Sequence, residues 1–386
     1  MPSEHARLSA SGAHQWLNCT PSIVMSEGIP DKGSSYAEEG TLAHSLAELM
    51  INYNLGRLTK TEFKKQHEAI KKNAFYSEDM QQYINEYVNQ IWEIMNAAKA
   101  SCKDAELLTE QRLDFSEYVP DGFGTGDVVI VTDGKIQIID LKYGKGVEVF
   151  ADKNPQLMLY GLGALGTYDM LYDIKELELT IVQPRLDNIS TYRISADDLV
   201  KWGEGVVRPA ALKAINGEGD PVPGPHCRFC KVKATCRARK EQMEELARME
   251  FKDARLLDDS EIGEVLRLAD QLANWVGDIK EYALEEAVQN GKKWDGWKLV
   301  EGRSNRKYSD EKAVVKALTD AGFQESLLFE RKLYGITAME KIVGKKSLQE
   351  YCGDLIVKPQ GKPTLVPESD KRPELSSIDS AVKDFE

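Results

Sequence analysis

The 386-residue chain has no long apolar run. No stretch approaches the roughly eighteen residues needed to cross a membrane. Its start, Met1-Pro2-Ser3-Glu4-His5, lacks a basic segment followed by an apolar one, so no secretory leader is expected. The location expected from this is the cytoplasm, with no membrane partner. Cysteine is scarce, at six residues. In a cytosolic chain these read as metal ligands or core residues rather than disulfides. There is no internal repeat. Gly344-Lys345-Lys346-Ser347 lacks the upstream glycine of a phosphate-binding loop, which excludes ATP-driven work by that motif. Positive charge is also short: the net charge is −13, which as a global sum counts against a nucleic-acid partner. A local basic groove and a carboxylate-rich metal site are both compatible with that sum.

What is present is enough apolar material, 42%, for a full core and two domains. Helical spacing is expected over 8–19, with Ser9 or Ser11 as N-cap, and over 38–56. A longer helix follows Ser77, with Tyr83, Ile84, Tyr87, Val88, Ile91, Ile94 and Met95 three to four apart. The period then changes. Strands are expected at 106–113, 126–131 and 135–142, the last two joined by Thr132-Asp133-Gly134. A helix from about Pro155, a hairpin of 177–186 with 190–194 around Asp187-Asn188, and a helix over 196–214 follow. A Pro/Gly-rich loop, 217–225, leads into cysteines. We read 1–240 as one α/β domain, 245–357 as a mostly helical accessory domain and 358–386 as an extended tail.

The stretch Gly124-Thr125-Gly126-Asp127 followed by Asp140-Leu141-Lys142 carries chemistry. Residues two apart on a strand face one side, so Asp140 and Lys142 project together, and Asp127 opens the neighbouring strand. Two carboxylates at one point suit a hard divalent cation. Such a cation polarises a phosphoryl oxygen and acidifies a bound water, while the ammonium orients that water or stabilises charge on the phosphate. The plain alternative is an exposed ion pair at a strand end. Upstream, Gly40-Thr41-Leu42-Ala43-His44 offers a helical nitrogen ligand. Downstream, Gln156-Leu157-Met158-Leu159-Tyr160 puts Gln156 and Tyr160 one helical turn apart.

Cys227-Arg228-Phe229-Cys230 and Cys236 give C-x2-C-x5-C, a bite that lets thiolates grip one centre. Cys19 is the candidate fourth ligand, whereas Cys102 and Cys352 read as ordinary cysteines. From spacing alone, zinc and iron–sulfur stand level.

In this order, G-x-x-x-H, G-x-G-D, D-x-K and Q-x-x-x-Y, the set resembles the RecB-like nucleases of the PD-(D/E)XK superfamily. That resemblance implies a restriction-endonuclease-like mixed central sheet flanked by helices. It implies His44, Asp127 and Asp140 as ligands of Mg²⁺ or Mn²⁺, Lys142 as the catalytic lysine, and Gln156 and Tyr160 as a substrate-side catalytic pair. Glu110 and Glu48 have weaker support as groups behind the ligands. An N-terminal cysteine with a later C-x2-C-x5-C is similar to the layout of the AddB and Cas4 groups, which implies a [4Fe–4S] cluster on Cys19, Cys227, Cys230 and Cys236. The whole chain, from Leu8-Ser9-Ala10-Ser11 through Pro359-Gln360-Gly361-Lys362-Pro363 and Ser369-Asp370-Lys371-Arg372-Pro373, also resembles an uncharacterised phage and prophage family of such nucleases (DUF2800-like).

The activity implied is metal-dependent exonuclease action on single- or double-stranded DNA ends, in phage recombination or DNA processing within a bacterial host. A phage annealing protein is the implied partner. The competing expectation is a DNA-binding or protein-interaction module that keeps the fold and does no chemistry. Arg228, Lys231, Lys233, Arg237, Arg239 and Lys240 form a basic run without an intervening acid, suited to a phosphate backbone. Trp294, Trp297, Arg303, Asn305, Arg306 and Tyr308 read either as a strand with a polar face or as a stacking surface. Gly161-Leu162-Gly163-Ala164-Leu165-Gly166 matches a dinucleotide-loop pattern but falls inside a helix, where small residues serve close packing.

Overall fold

The structure is a computed structural model that describes residues 6–30, 33–248 and 259–297. Two compact units divide it, Met1–Ala283 and Leu284–Glu386. That division falls later than the composition change near residue 240. The accessory residues 298–357, the tail, Cys352, Arg303, Asn305, Arg306, Tyr308 and the Gly344 segment lie outside the described residues.

The first unit is built on a mixed sheet of five strands: β1 (Glu106–Asp114), β2 (Phe123–Thr132), β3 (Lys135–Leu141), β4 (Glu176–Gln183) and β5 (Asn188–Ser195). Their order in the sheet is the order in the chain. All neighbours are antiparallel except β3 and β4, which run parallel. That parallel step needs a crossover, and helix α6 (Pro155–Tyr172) supplies it. Ile136 and Ile138 of β3 fall on one face, Ile139 and Leu141 on the other. Such two-sided burial requires helices on both faces.

On one face α6 packs with α1 (Ala13–Asn18), α7 (Ala196–Trp202) and α8 (Arg208–Asn216), around Trp16, Leu157, Leu162, Leu199 and Ala211. On the other lie α3 (Ser35–Asn54) and α5 (Glu78–Ser101), whose Leu46, Ile51, Ile84, Val88 and Ile91 meet Val128 and Ile130. Ser34 and Ser77 cap α3 and α5 by accepting the amides of Ala37 and Met80. Asn154 caps α6, accepting from the amides of Gln156 and Leu157, with Pro155 in the first turn. The cap fixes where Gln156 stands.

The first helix begins later than its pattern suggests. Gly12 precedes it without a side-chain cap, and Ser9 Oγ instead accepts the Gly12 amide at 3.2 Å. Short α2 (Ser22–Met25) and α4 (Lys60–Lys71) were not anticipated. Helix α4 buries no residue fully and stands on a Thr59–Glu62 capping box; its inward stripe is short, Phe63 stacked on Tyr53 and Ile70 half-buried against the core. The segment expected as one helix over 196–214 is interrupted at Gly203–Val207 by a wider turn, next to Pro209, which lacks an amide hydrogen. The first unit also contains α9 (Arg237–Arg248); α10 (Asp259–Gln289) runs from it into the second unit.

Candidate active site

The site forms where two strands part. The β2–β3 ladder stops at Val128 and Ile139, although β3 continues beside β4 through Asp140 and Leu141. In its place the Asp127 side chain enters the fork, and its Oδ2 accepts the Leu141 amide at 2.7 Å. The β1–β2 ladder also skips one step, between Thr109↔Val128 and Gln111↔Gly126. The skipped residues are Glu110 and Asp127. Glu110 holds φ 47°, a left-handed backbone that costs a non-glycine residue roughly 1–3 kcal/mol.

From α3, His44 Nδ1 lies 3.1 Å from Asp127 Oδ1. One ligand atom each from His44, Glu110 and Asp127 fall within 4.8 Å of one another. Partial burial, then the Asp127 and Glu48 carboxylates, push the Glu110 carboxyl up to about 7, although the residue as a whole is exposed. Burial works against a charged His44, but the charge and hydrogen bond of Asp127 outweigh it and raise its pKa. Acids crowded beside an imidazole form the donor set of a hard divalent cation, whose charge would relieve their repulsion.

Asp140, expected as a ligand, is not within that 4.8 Å group, which has Glu110 as its third member. Asp140 is 3% exposed and is held from the α6 side. Lys142 Nζ forms an ion pair with its Oδ2 at 2.9 Å, and Gln156 Nε2 donates to Oδ1 at 3.2 Å. Lys142 Nζ also donates to Gln156 Oε1 at 2.9 Å. Gln156 Nε2 further lies 3.1 Å from the Tyr160 hydroxyl. Burial raises the Asp140 pKa against the pull of Lys142. For Lys142 burial lowers the pKa, and the Asp140 carboxylate more than restores it. Burial, then Asp140, lifts Tyr160. Gly124 belongs to this arrangement: a Cβ there would lie 2.5 Å from Tyr160 Cε1. The structure therefore brings His44, Asp127, Asp140, Lys142, Gln156 and Tyr160 to one end of the sheet, with Glu110.

The loop after Lys142 is fixed by one buried amide. Gln183 Nε2 donates to the carbonyls of Gly144 (2.9 Å) and Val147 (2.7 Å). Its Oε1 accepts from the Val149 amide (3.1 Å) and from Asn188 Nδ2 (3.2 Å).

Cys19, Cys227, Cys230 and Cys236 line one small cavity beyond α1. All four are free thiols. Burial raises the pKa of Cys227 and Cys230, and the neighbouring thiol groups add to it. The Gly224 amide donates to Cys227 Sγ at 3.4 Å. Among the described residues no three cysteine sulfurs come within 4.8 Å of one another. Cys102 stands apart at the end of α5.

A groove of about 1110 Å³ joins the two places, from Lys142 and Gln156 to Arg228, Phe229 and Lys233. The basic run beside it is partly neutralised in the fold. Lys233 and Arg239 both pair with Asp278 of α10, at 2.7 and 2.6 Å, and Lys240 pairs with Glu244 at 2.9 Å. Of the later aromatic run, Lys292 lies over the Trp294 ring at 4.4 Å. The glycine pattern in α6 serves packing: a Cβ on Gly161 would meet Leu199 at 2.8 Å, and one on Gly163 the Leu113 backbone at 3.0 Å.

Tyr87 escaped the sequence patterns, and Glu110 was expected only as a group behind the ligands. Glu110 carries no motif, and its position opposite Asp127 becomes legible only once β1 and β2 are paired. Tyr87 reads as one more apolar position of α5, yet it lines the same small cavity as His44 and Glu110.

A mixed α/β sheet with helices on both faces and a His–Glu–Asp group at a strand fork is the class that fold and site define. The chain belongs to the family described as "Protein of unknown function (DUF2800)", which matches residues 5–373. It is also similar to the solved structure described as "Crystal structure of SSO0001", at 15% identity and a TM-score of 0.22, over 58% of this chain and 96% of that one. Among the described residues no helix is long and apolar enough to cross a membrane.

Proposed function

We propose that this chain is a divalent-metal-dependent deoxyribonuclease of restriction-endonuclease-like fold that hydrolyses phosphodiester bonds at DNA ends. The observation that carries this reading is the meeting of the His44–Glu110–Asp127 group with the Asp140–Lys142–Gln156 bridge at one strand fork. His44, Glu110 and Asp127 would hold Mg²⁺ or Mn²⁺, with Asp140 beside them. When bound, the cation supplies Lewis-acid polarisation of the phosphate and a water of lowered pKa. Lys142 places a positive charge where the phosphate becomes more negative, or orients the attacking water. Gln156 fixes both Lys142 and Asp140, so that the ammonium keeps its aim. Tyr160 backs Gln156 from the next helical turn.

The cysteine cavity supports a second group, a [4Fe–4S] cluster on Cys19, Cys227, Cys230 and Cys236 that ties the N-terminal segment to the C-x2-C turn. The adjoining groove, with Arg228 and Lys233 on its wall, would receive the DNA backbone. Action on ends, and a phage annealing protein as partner, rest on the family resemblance alone.

The test is digestion of end-labelled linear DNA, single- and double-stranded, with Mg²⁺ or Mn²⁺, by anaerobically purified protein. Wild type runs beside Asp140→Ala and Lys142→Ala. Metal-dependent release of label by wild type alone is expected. No cleavage by cluster-replete wild type would leave a binding module. Iron and acid-labile sulfide should accompany the protein and fall in Cys19→Ser; zinc in their place would refute the cluster.

A further inference from the structure

Tyr87 of α5 is 1% exposed, and its hydroxyl has no hydrogen-bond partner among the described residues. A buried hydroxyl left unpaired costs roughly 1–3 kcal/mol. Such a group asks for a reason.

Its surroundings supply one. Tyr87 belongs to the buried cluster that holds Ala43, Leu46, Ala47 and Ile51 of α3 with Val128 and Leu141 of the sheet. The residue lines the same small cavity as His44, Glu48, Glu110 and Asp127. That cavity is roughly the size of a single water. Burial, and then the Asp127, Asp140 and Glu110 carboxylates, hold the phenol well above its ordinary pKa. A phenol keeps its proton at neutral pH, so Tyr87 brings a hydrogen-bond donor to a cavity lined by Glu48, Glu110 and Asp127.

We propose that the Tyr87 hydroxyl donates a hydrogen bond into the oxygen shell of the divalent cation held by His44, Glu110 and Asp127. Its partner is one of the two carboxylates or a water on the cation. This rests on the cation-binding part of the proposed function and not on DNA cleavage. Tyr87 is then a positioning residue: it orients the ligands and touches neither phosphate nor attacking water. Groups in this position typically alter metal affinity by about 10–100-fold when removed. Phenylalanine keeps the ring and its packing and removes only the donor.

The experiment uses full-length Tyr87→Phe and wild type. Mn²⁺ affinity is measured by titration calorimetry, and the melting temperature with and without Mn²⁺. We expect Mn²⁺ binding to weaken about tenfold or more. Without added metal the melting temperature should not fall, because the substitution removes an unpaired hydroxyl. The rise produced by Mn²⁺ should shrink. Unchanged Mn²⁺ affinity would overturn the proposal. So would an equal loss of stability with and without Mn²⁺, which is the mark of a purely structural hydroxyl. If wild type takes up no Mn²⁺, this inference and the cation reading fall together. If wild type binds Mn²⁺ and cuts no DNA, only the nuclease reading falls, and the Tyr87→Phe comparison still decides.

Discussion

Asp127 takes the Leu141 amide in a 2.7 Å hydrogen bond at the place where the β2–β3 ladder ends. One carboxylate oxygen therefore replaces a missing strand partner, while the other faces His44 at 3.1 Å. Structural and ligand roles can be separated by substitution. Asp127→Asn keeps an oxygen for Leu141 and should leave the denaturation midpoint nearly unchanged, while Mn²⁺ binding and DNA cleavage are lost. Asp127→Ala should cost roughly 1–3 kcal/mol as well, because a buried amide loses its acceptor. Urea denaturation of both variants checks the difference.

Gln156 bridges Lys142 and Asp140 without carrying charge. Gln156→Ala leaves the ammonium held by Asp140 alone and less precisely aimed, and small misplacements of a reacting group cost roughly 10²-fold in rate. The expected result is a fall in kcat of that order with Mn²⁺ affinity retained. Titration calorimetry beside initial rates on labelled DNA reads both quantities.

Gly163 of α6 faces backbone, with Leu113 C and Cβ at 3.0 Å from the position of an added Cβ. Gly163→Ala must push α6 from β1 and should destabilise by roughly 1–3 kcal/mol. Gly166, in the same helix, has nothing within 4 Å of its added Cβ. Gly166→Ala should instead stabilise by roughly 1 kcal/mol from helix propensity alone. Opposite shifts in urea midpoint would mark the pattern as packing; a shared direction would contradict it.

Asp278 anchors α10 to the cysteine-bearing turn through Lys233 and to α9 through Arg239. Burial raises its pKa, but the two hydrogen-bonded cations outweigh that and hold it below the usual carboxylate value. Its contribution is complete above the unfolded value of about 3.9 and is lost as pH falls through the folded one. At pH 7, Asp278→Asn should therefore be less stable than wild type by roughly 1–3 kcal/mol. The gap should close under acid. Denaturation midpoints at a series of pH values test the sign.

Much of this was legible beforehand because β-branched runs and helical stripes report burial directly. Strands β1 to β3 and helix α5 follow the apolar period, and the D-x-K alternation puts Asp140 and Lys142 on one face, as found. Helix α4 was hard to read because its core-facing side is thin, Phe63 and Ile70 among charged residues, and none of its residues is fully buried. Glu110 was underrated because its contribution depends on strand register and on a left-handed backbone, neither of which leaves a local trace in composition. The basic run looked free because its counter-ion, Asp278, stands about 40 residues further along the chain. Zinc and iron–sulfur stood level on spacing, since the C-x2-C bite suits both.

The Gln183 amide sets a tempo for the site. Both its hydrogens and its oxygen are committed to the segment that follows Lys142 and to Asn188. Swinging that segment aside means breaking the three bonds to Gly144, Val147 and Val149 together, a penalty of roughly 1.5–4.5 kcal/mol at 0.5–1.5 each. The segment after Lys142 is therefore held in place rather than hinged, and under the proposed function a nucleic acid would have to fit it as it stands.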